Sequence, residues 1–153
     1  MAVRAEIALD TNILLRLPFD SPAELTTASR ALYHLAARGF TFCTTVASIA
    51  EFANSASRPT QHNGLGLSVA QVQQRIRFFE RRFPIFVESM QSYDIWKALV
   101  QKYEVKGTRV HDARIASIMM ERRVRAILTL NPSDFVRFRE IITIHPEDIL
   151  RGA

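Results

Sequence analysis

Four short polar clusters in this sequence carry side chains that hold metal ions or move protons: Asp10-Thr11-Asn12, Glu51, His111-Asp112 and Asn131-Pro132-Ser133-Asp134. Each acid alone has an ordinary structural use. Asp and Asn after a strand form turns, an Asp near a helix start caps it or complements its dipole, and a Glu is commonly solvated. Three of the acids, however, have apolar neighbours, in Ile-Ala-Leu-Asp10, Ala-Ser-Ile-Ala-Glu51-Phe and Asp112-Ala-Arg-Ile-Ala, where solvated carboxylates are less expected. Carboxylates buried together repel, and one or more takes up a proton unless a divalent cation neutralises the group. The lone Cys43 and the lack of any Cys/His cluster with zinc spacing leave oxygen ligation, which suits Mg²⁺ or Mn²⁺.

The elements that must position these acids can be read from periodicity. Ala5 to Leu9 is a short apolar strand that delivers Asp10 at its carboxyl end. Ser21-Pro22-Ala23-Glu24 reads as a helix start, with Leu25, Ala28, Leu32 and Leu35 as its apolar stripe and Gly39 as its end. Phe40 to Thr45 is a second strand; Ile49, Phe52, Ala53 and Ala56 mark a helix that stops before Arg58-Pro59, with Glu51 off its apolar face. Thr60 to Leu67 is an aperiodic, mobile loop, and Ser68 with Gln71 opens a helix that Pro84 closes. Strand Ile85 to Val87, helix Tyr93 to Tyr103, helix His111 to Arg123, strand Ala126 to Leu130 and strand Ile141 to Ile144 complete the pattern.

Alternating strands and helices predict a single α/β domain over residues 1–153, with helices on both faces of a mainly parallel sheet. In such sheets ligands bind beyond the carboxyl ends of the strands. The four acidic segments all fall at that end.

The formal net charge is +5, with seventeen Arg against three Lys. The planar guanidinium fork suits phosphate recognition and so a nucleic-acid partner, while a GC-rich genome and solvated helix faces account for the same composition equally well. Arg4 and Glu6 interrupt what would be a signal peptide's apolar stretch, and no apolar run is long enough to span a bilayer. A cytoplasmic protein without membrane contact is expected.

Leu9-Asp10-Thr11-Asn12, Ser48-Ile49-Ala50-Glu51-Phe52, His111-Asp112-Ala113-Arg114-Ile115-Ala116 and Leu128-Thr129-Leu130-Asn131-Pro132-Ser133-Asp134-Phe135 stand in the order and approximate spacing of a PIN domain. The chain resembles the VapC-type toxins of bacterial toxin–antitoxin pairs in particular. The resemblance implies a PIN-like three-layer α/β/α sandwich and a metal-dependent endoribonuclease that leaves a 5′-phosphate and a 3′-hydroxyl. Asp10, Glu51 and Asp112 are then the ligands of Mg²⁺ or Mn²⁺, with Thr11 or Asn12 supporting the site through hydrogen bonds. Many relatives carry an acid two residues after the strand-end threonine; here that place holds Asn131, and Asp134 three residues on is the other candidate. Thr129, or a carboxylate not fully engaged by metal, is a candidate for positioning the attacking water, and Thr129 and Asn131 are counted with Thr11 and Asn12 as supporting residues. Arg109, in the loop before Asp112, and Arg114 are candidates for holding the RNA backbone. His111 is assigned a local structural role, and His34, His62 and His145 share no pattern. A cognate antitoxin and a homodimer are the implied partners.

Two other readings remain at this stage. One is a PIN-like module that has lost catalysis and only docks RNA or protein; Asn131 supports it, and Asp10, Glu51 and Asp112 argue against it. The other is a different Mg²⁺-dependent phosphoryl-transfer domain. A phosphatase with an aspartyl nucleophile would carry a second Asp where Asn12 stands, and a receiver would carry an early acidic pair and a late Lys that are absent.

Overall fold

The computed structural model describes residues 5–19 and 25–153. Strands β1 (Glu6–Leu9), β2 (Thr41–Thr45), β3 (Ile85–Phe86), β4 (Ala126–Leu128) and β5 (Ile142–Ile144) form one sheet in the order β3-β2-β1-β4-β5. Every neighbouring pair is parallel, with Ala8 in register with Cys43 on one side and Ile127 on the other. Among the described residues the helices are α1 (Thr11–Leu14), α2 (Thr27–Ala37), α3 (Val46–Ser57), α4 (Val69–Arg82), α5 (Met90–Lys102), α6 (Arg109–Glu121) and α7 (Pro146–Arg151).

Successive strand residues point to opposite faces of the sheet, which divides the apolar side chains between two cores. Ile7, Leu9 and Leu128 face one core with Ile13 of α1, Leu35 of α2, Phe52 of α3 and Phe79 of α4. Ala8, Cys43 and Ile127 face the other, with Leu99 of α5, Ala113 and Ile118 of α6, and Phe135 and Phe138. This is the three-layer sandwich expected from the alternation. Phe52 is fully buried and meets Phe79 edge to face, centroids 5.0 Å apart, a favourable aromatic arrangement. Cys43 is buried and its thiol is pushed up to about 12 by burial, so it behaves as a small apolar residue.

Local sequence accounts for most boundaries. Ser68 and Gln71 form a reciprocal capping box at the start of α4, and Gly39 takes φ +91° just after α2, a conformation that costs glycine little. Several expectations are corrected. The described helix α2 begins at Thr27 behind the N-cap Thr26, so Leu25 precedes it and is exposed; Ser21, Pro22 and Glu24 lie outside the described residues. The segment after Pro59 opens with a 3-10 turn at Thr60–His62 and is tied back to α3: Leu65 N donates to Ser55 O (3.2 Å) and Leu67 N to Ala56 O (2.9 Å). Gly64 permits the closeness, since a Cβ there would stand 1.9 Å from Arg58 O. Helices α1 and α7 were not expected at all.

Candidate active site

The connections from β1 through β2 to β3 move one way across the sheet, whereas β4 and β5 lie on the other side of β1. The loops leaving β1 and β4 therefore diverge, and the gap at their carboxyl ends is where parallel sheets bind ligands. Asp10 follows β1 directly and Thr129 follows β4; Asp10 N donates to Leu128 O (3.1 Å), joining the two strand ends.

Asp10 is 6% exposed and held from several directions. Its Oδ1 accepts from Thr11 N (2.8 Å), which makes it the N-cap of α1. Its Oδ2 accepts from Thr129 Oγ (2.7 Å) and from Asn12 Nδ2 (3.1 Å). Asn12 completes the brace: its Nδ2 also reaches Thr129 Oγ (3.2 Å) and its Oδ1 accepts from Leu130 N (3.1 Å). The Thr11 hydroxyl lies 3.1 Å from Ser48 O and 3.3 Å from Glu51 Oε2, tying β1's end to α3.

Glu51, Asp112 and Asp134 line one open cleft of about 450 Å³, together with Asn54, Arg109, His111 and Arg114. Burial raises the Asp10 carboxyl to about 6 against the downward pull of its hydrogen bonds, with smaller upward pushes from the charges of Glu51 and Asp134. Asp112 is also raised to about 6, first by burial and then by the charge of Asp134, with a lesser push from Asp10. The acids thus sense one another across the cleft. Arg109 opposes this repulsion: its Nη1 pairs with Asp134 and lies 3.4 Å from Asp112 Oδ2. Its own pKa is raised by those two contacts, Asp134 first.

Among the described residues no three carboxylate, imidazole or thiol groups stand close enough to make a ready metal cage; Arg109 bridges two of the acids instead. The donor chemistry nonetheless fits a hard divalent ion. The acids offer carboxylate oxygens, and burial and repulsion hold Asp10 and Asp112 in a state that added positive charge would relieve.

With the topology and the cleft defined, comparison with known proteins is decisive for the family. The profile of the PIN domain matches residues 7–141. The chain belongs to the PIN domain family. In structure this PIN domain is similar to VapBC2 from Rickettsia felis bound to a fragment of promoter DNA, with 20% identity, TM-score 0.65, and 92% of this chain and 98% of that one covered. It is also similar to VapBC-1 from nontypeable Haemophilus influenzae, with 15% identity, TM-score 0.67 and coverages of 93% and 98%. A toxin–antitoxin complex from Klebsiella pneumoniae aligns at 24% identity and TM-score 0.60, over 92% of this chain and 97% of that one. No curated protein sequence matches the chain. Among the described residues no helix is long and apolar enough to cross a membrane.

Within the PIN domain, the candidates from sequence take different places. Glu51, Asp112 and Asp134 line the cleft; Asp10 is buried and does not line it but lies within reach of their charges, and the exposed Asn131 does not line it and uses its backbone N to donate to Thr129 Oγ (3.0 Å). Thr129 is fully buried and donates to Asp10, a supporting contact within the site. Arg109 is the first residue of α6 rather than part of a loop, and neither it nor Arg114, which pairs with Glu88, is free of acidic partners. His111 lines the cleft and its side chain makes no hydrogen bond among the described residues, so the structure supplies no local role for it. Sequence reasoning missed Asn54, whose only signal is its place three residues after Glu51 on α3, one helical turn along.

Proposed function

We propose that this PIN domain is a divalent-metal-dependent endoribonuclease and the toxin of a toxin–antitoxin pair. The observation that carries the reading is the meeting of Asp10 and Asp112 with Glu51 and Asp134 at the sheet's reversal point, where burial and mutual repulsion hold two carboxyls near 6. Asp10, Glu51 and Asp112, with Asp134 beside them, would hold Mg²⁺ or Mn²⁺, which when bound activates water and stabilises negative charge at phosphorus. The chain's own residues orient the site. Thr129 and Asn12 fix Asp10, Thr11 links Glu51 to the end of β1, and Arg109 balances Asp112 and Asp134 until other positive charge arrives. RNA as substrate is supported by the excess of arginine over lysine and by the +5 formal charge. An antitoxin partner is supported by the complexes in which similar folds occur.

The test is cleavage of a single-stranded or looped RNA panel by protein purified free of any partner. Cleavage is expected with Mg²⁺ or Mn²⁺, to cease with chelator, and to be lost in Asp10→Asn and Asp112→Asn variants that remain folded. The competing module that only binds draws on the Arg109 bridge between two acids. It takes the nuclease's place if the folded protein binds RNA but cuts none of it with either ion.

A further inference from the structure

A second, smaller cleft of about 230 Å³ adjoins the carboxylate cleft. It is lined by Glu88, Ser92, Tyr93, Trp96, Arg114 and Ser117, and Arg114 lines both clefts. Its chemistry differs from the acidic site. Tyr93 and Trp96, one turn apart on α5, are stacked with centroids 6.1 Å apart and planes 20° apart. Tyr93 is 48% exposed. Trp96 is half-buried and its Nε1 donates to Val110 O (2.9 Å), which ties the indole to the turn of α6 that carries Asp112. Lys97, itself exposed, puts its ammonium 4.8 Å from the Tyr93 ring. The serines are already satisfied, Ser92 by Ser89 and Ser117 by the Arg114 carbonyl, so the polar groups left at the mouth are the ion-paired Glu88 and Arg114.

We propose that this aromatic cleft seats an RNA base flanking the bond to be cut, with Trp96 and Tyr93 as its stacking wall and Arg114 as the hinge between base and phosphate. The proposal rests on the nuclease reading above and adds to it a way of gripping the strand. A phosphodiester cleft made of acids has little to hold RNA by, whereas every base presents a π face to an aromatic wall. Arg114 lies where a nucleotide passes from one cleft to the other, and it can exchange Glu88 for a phosphate without leaving its place. Lys97, whose ammonium also lies 3.3 Å from Asp94 Oδ1, adds a second cation beside the ring. Because stacking tolerates any base, the cleft fixes the strand's path more than its sequence.

The protein supplies its own reporter, since Trp96 is the single tryptophan of the chain. A short single-stranded RNA is titrated into the whole protein in EDTA, so that nothing is cut, while Trp96 fluorescence and the anisotropy of labelled RNA are followed. Saturable quenching of Trp96 is expected, with none from inorganic polyphosphate, and Tyr93→Ala is expected to weaken RNA binding by roughly 5- to 150-fold, the range for one base–aromatic stack. Trp96→Phe, followed by anisotropy alone, should retain most of the affinity. RNA binding without any Trp96 response overturns the proposal and leaves the nuclease reading intact. Quenching by RNA that is followed by no cleavage when Mn²⁺ is added overturns the nuclease reading and leaves the base site intact. A Trp96 signal that depends on protein concentration without RNA, with a dimer that Tyr93→Ala dissociates in sedimentation, assigns this face to a second copy of the chain and overturns the proposal.

Discussion

Replacing Asp10 by Asn should stabilise the metal-free protein above neutral pH and lose that advantage in acid. The folded Asp10 carboxyl is raised from 3.8 to about 6, so between those values the native state binds more protons than the unfolded chain. Stability therefore falls as pH rises through that window and levels off above it. A displacement of roughly two units corresponds to about 3 kcal/mol, which applies to a group as buried as this one. Asparagine removes that cost of ionisation. It remains a good N-cap for α1, its oxygen accepting from Thr11 N, but its NH₂ takes the place of Oδ2 and meets both donors there, the Thr129 hydroxyl and the Asn12 amide. Two lost or opposed hydrogen bonds cost about 2 kcal/mol together. The net expectation is a gain of about 1 kcal/mol at about pH 8 and a loss of about 2 kcal/mol at about pH 4, where the wild-type carboxyl is protonated and uncharged.

Urea denaturation of both proteins in EDTA, at the two pH values, measures the difference directly, and comparing wild type with variant cancels the other titrating groups. A variant less stable than wild type by more than about 1 kcal/mol at both pH values would mean that the Asp10 carboxylate is a net stabiliser, and the strain assigned to the cleft would be refuted. Repeating the pH 8 measurement with Mg²⁺ adds a second discriminator: the wild type should gain stability and the variant little or none.

Thr129→Val keeps shape but removes the hydroxyl that donates to Asp10 and accepts from Asn12 and Asn131 N; a loss of about 1–3 kcal/mol in urea titrations is expected, together with slower cleavage. Arg109→Gln leaves Asp112 and Asp134 facing each other unbalanced, so the melting temperature without divalent ions should drop and the rise on adding Mn²⁺ should exceed that of the wild type; an unchanged rise would show that Arg109 and the ion do not share a site. Asp134→Asn should reduce the cleavage rate strongly while Asn131→Ala leaves it nearly unchanged, because only Asp134 lines the cleft; the opposite ranking in single-turnover assays would return the fourth position to Asn131. RNA affinity should fall with log salt at a slope of roughly −0.7 per phosphate contacted, and affinity flat in salt would assign the arginine-rich surface to another purpose.

The end of β1 was legible because an apolar run halted by a polar residue marks a loop at the sheet edge, and this located Asp10. Strand β4 stops at Leu128, two residues short of the expected Leu130, an end hidden in the sequence because Thr129 interrupts the apolar run only singly. Helices with capping signals were also legible, α4 through Ser68 and Gln71 above all. The four-residue α1 was not, since a single turn has no apolar period to detect, and α7 is nearly as short with only Pro146 to announce it. At the site, spacing brought forward acids that the fold places in one region, but not what each touches. The pairing of Arg109 with Asp134 joins residues 25 apart, and the bond from Thr129 to Asp10 spans 119; neither leaves a local pattern. That Thr129 is the residue holding Asp10 is therefore visible only in the structure, where it is fully buried.

On the proposed nuclease reading, the electrostatics of the cleft set a condition for cleavage. Asp10 and Asp112, each near 6, are largely ionised at pH 7 and above, and with Glu51 and Asp134 they face one bridging guanidinium. Arg114, the other cation lining the cleft, is already paired with Glu88. A phosphodiester entering this space brings a further negative charge to an excess of negative charge, and Coulomb repulsion in a partly buried site is not fully screened by salt. On that reading the chain's positive charge serves to draw RNA to its surface but is insufficient in the cleft. Either protons or a divalent cation would then supply the difference. Protonation would also remove the carboxylate's capacity to act as a ligand or base, which leaves the cation as the route compatible with cleavage at neutral pH.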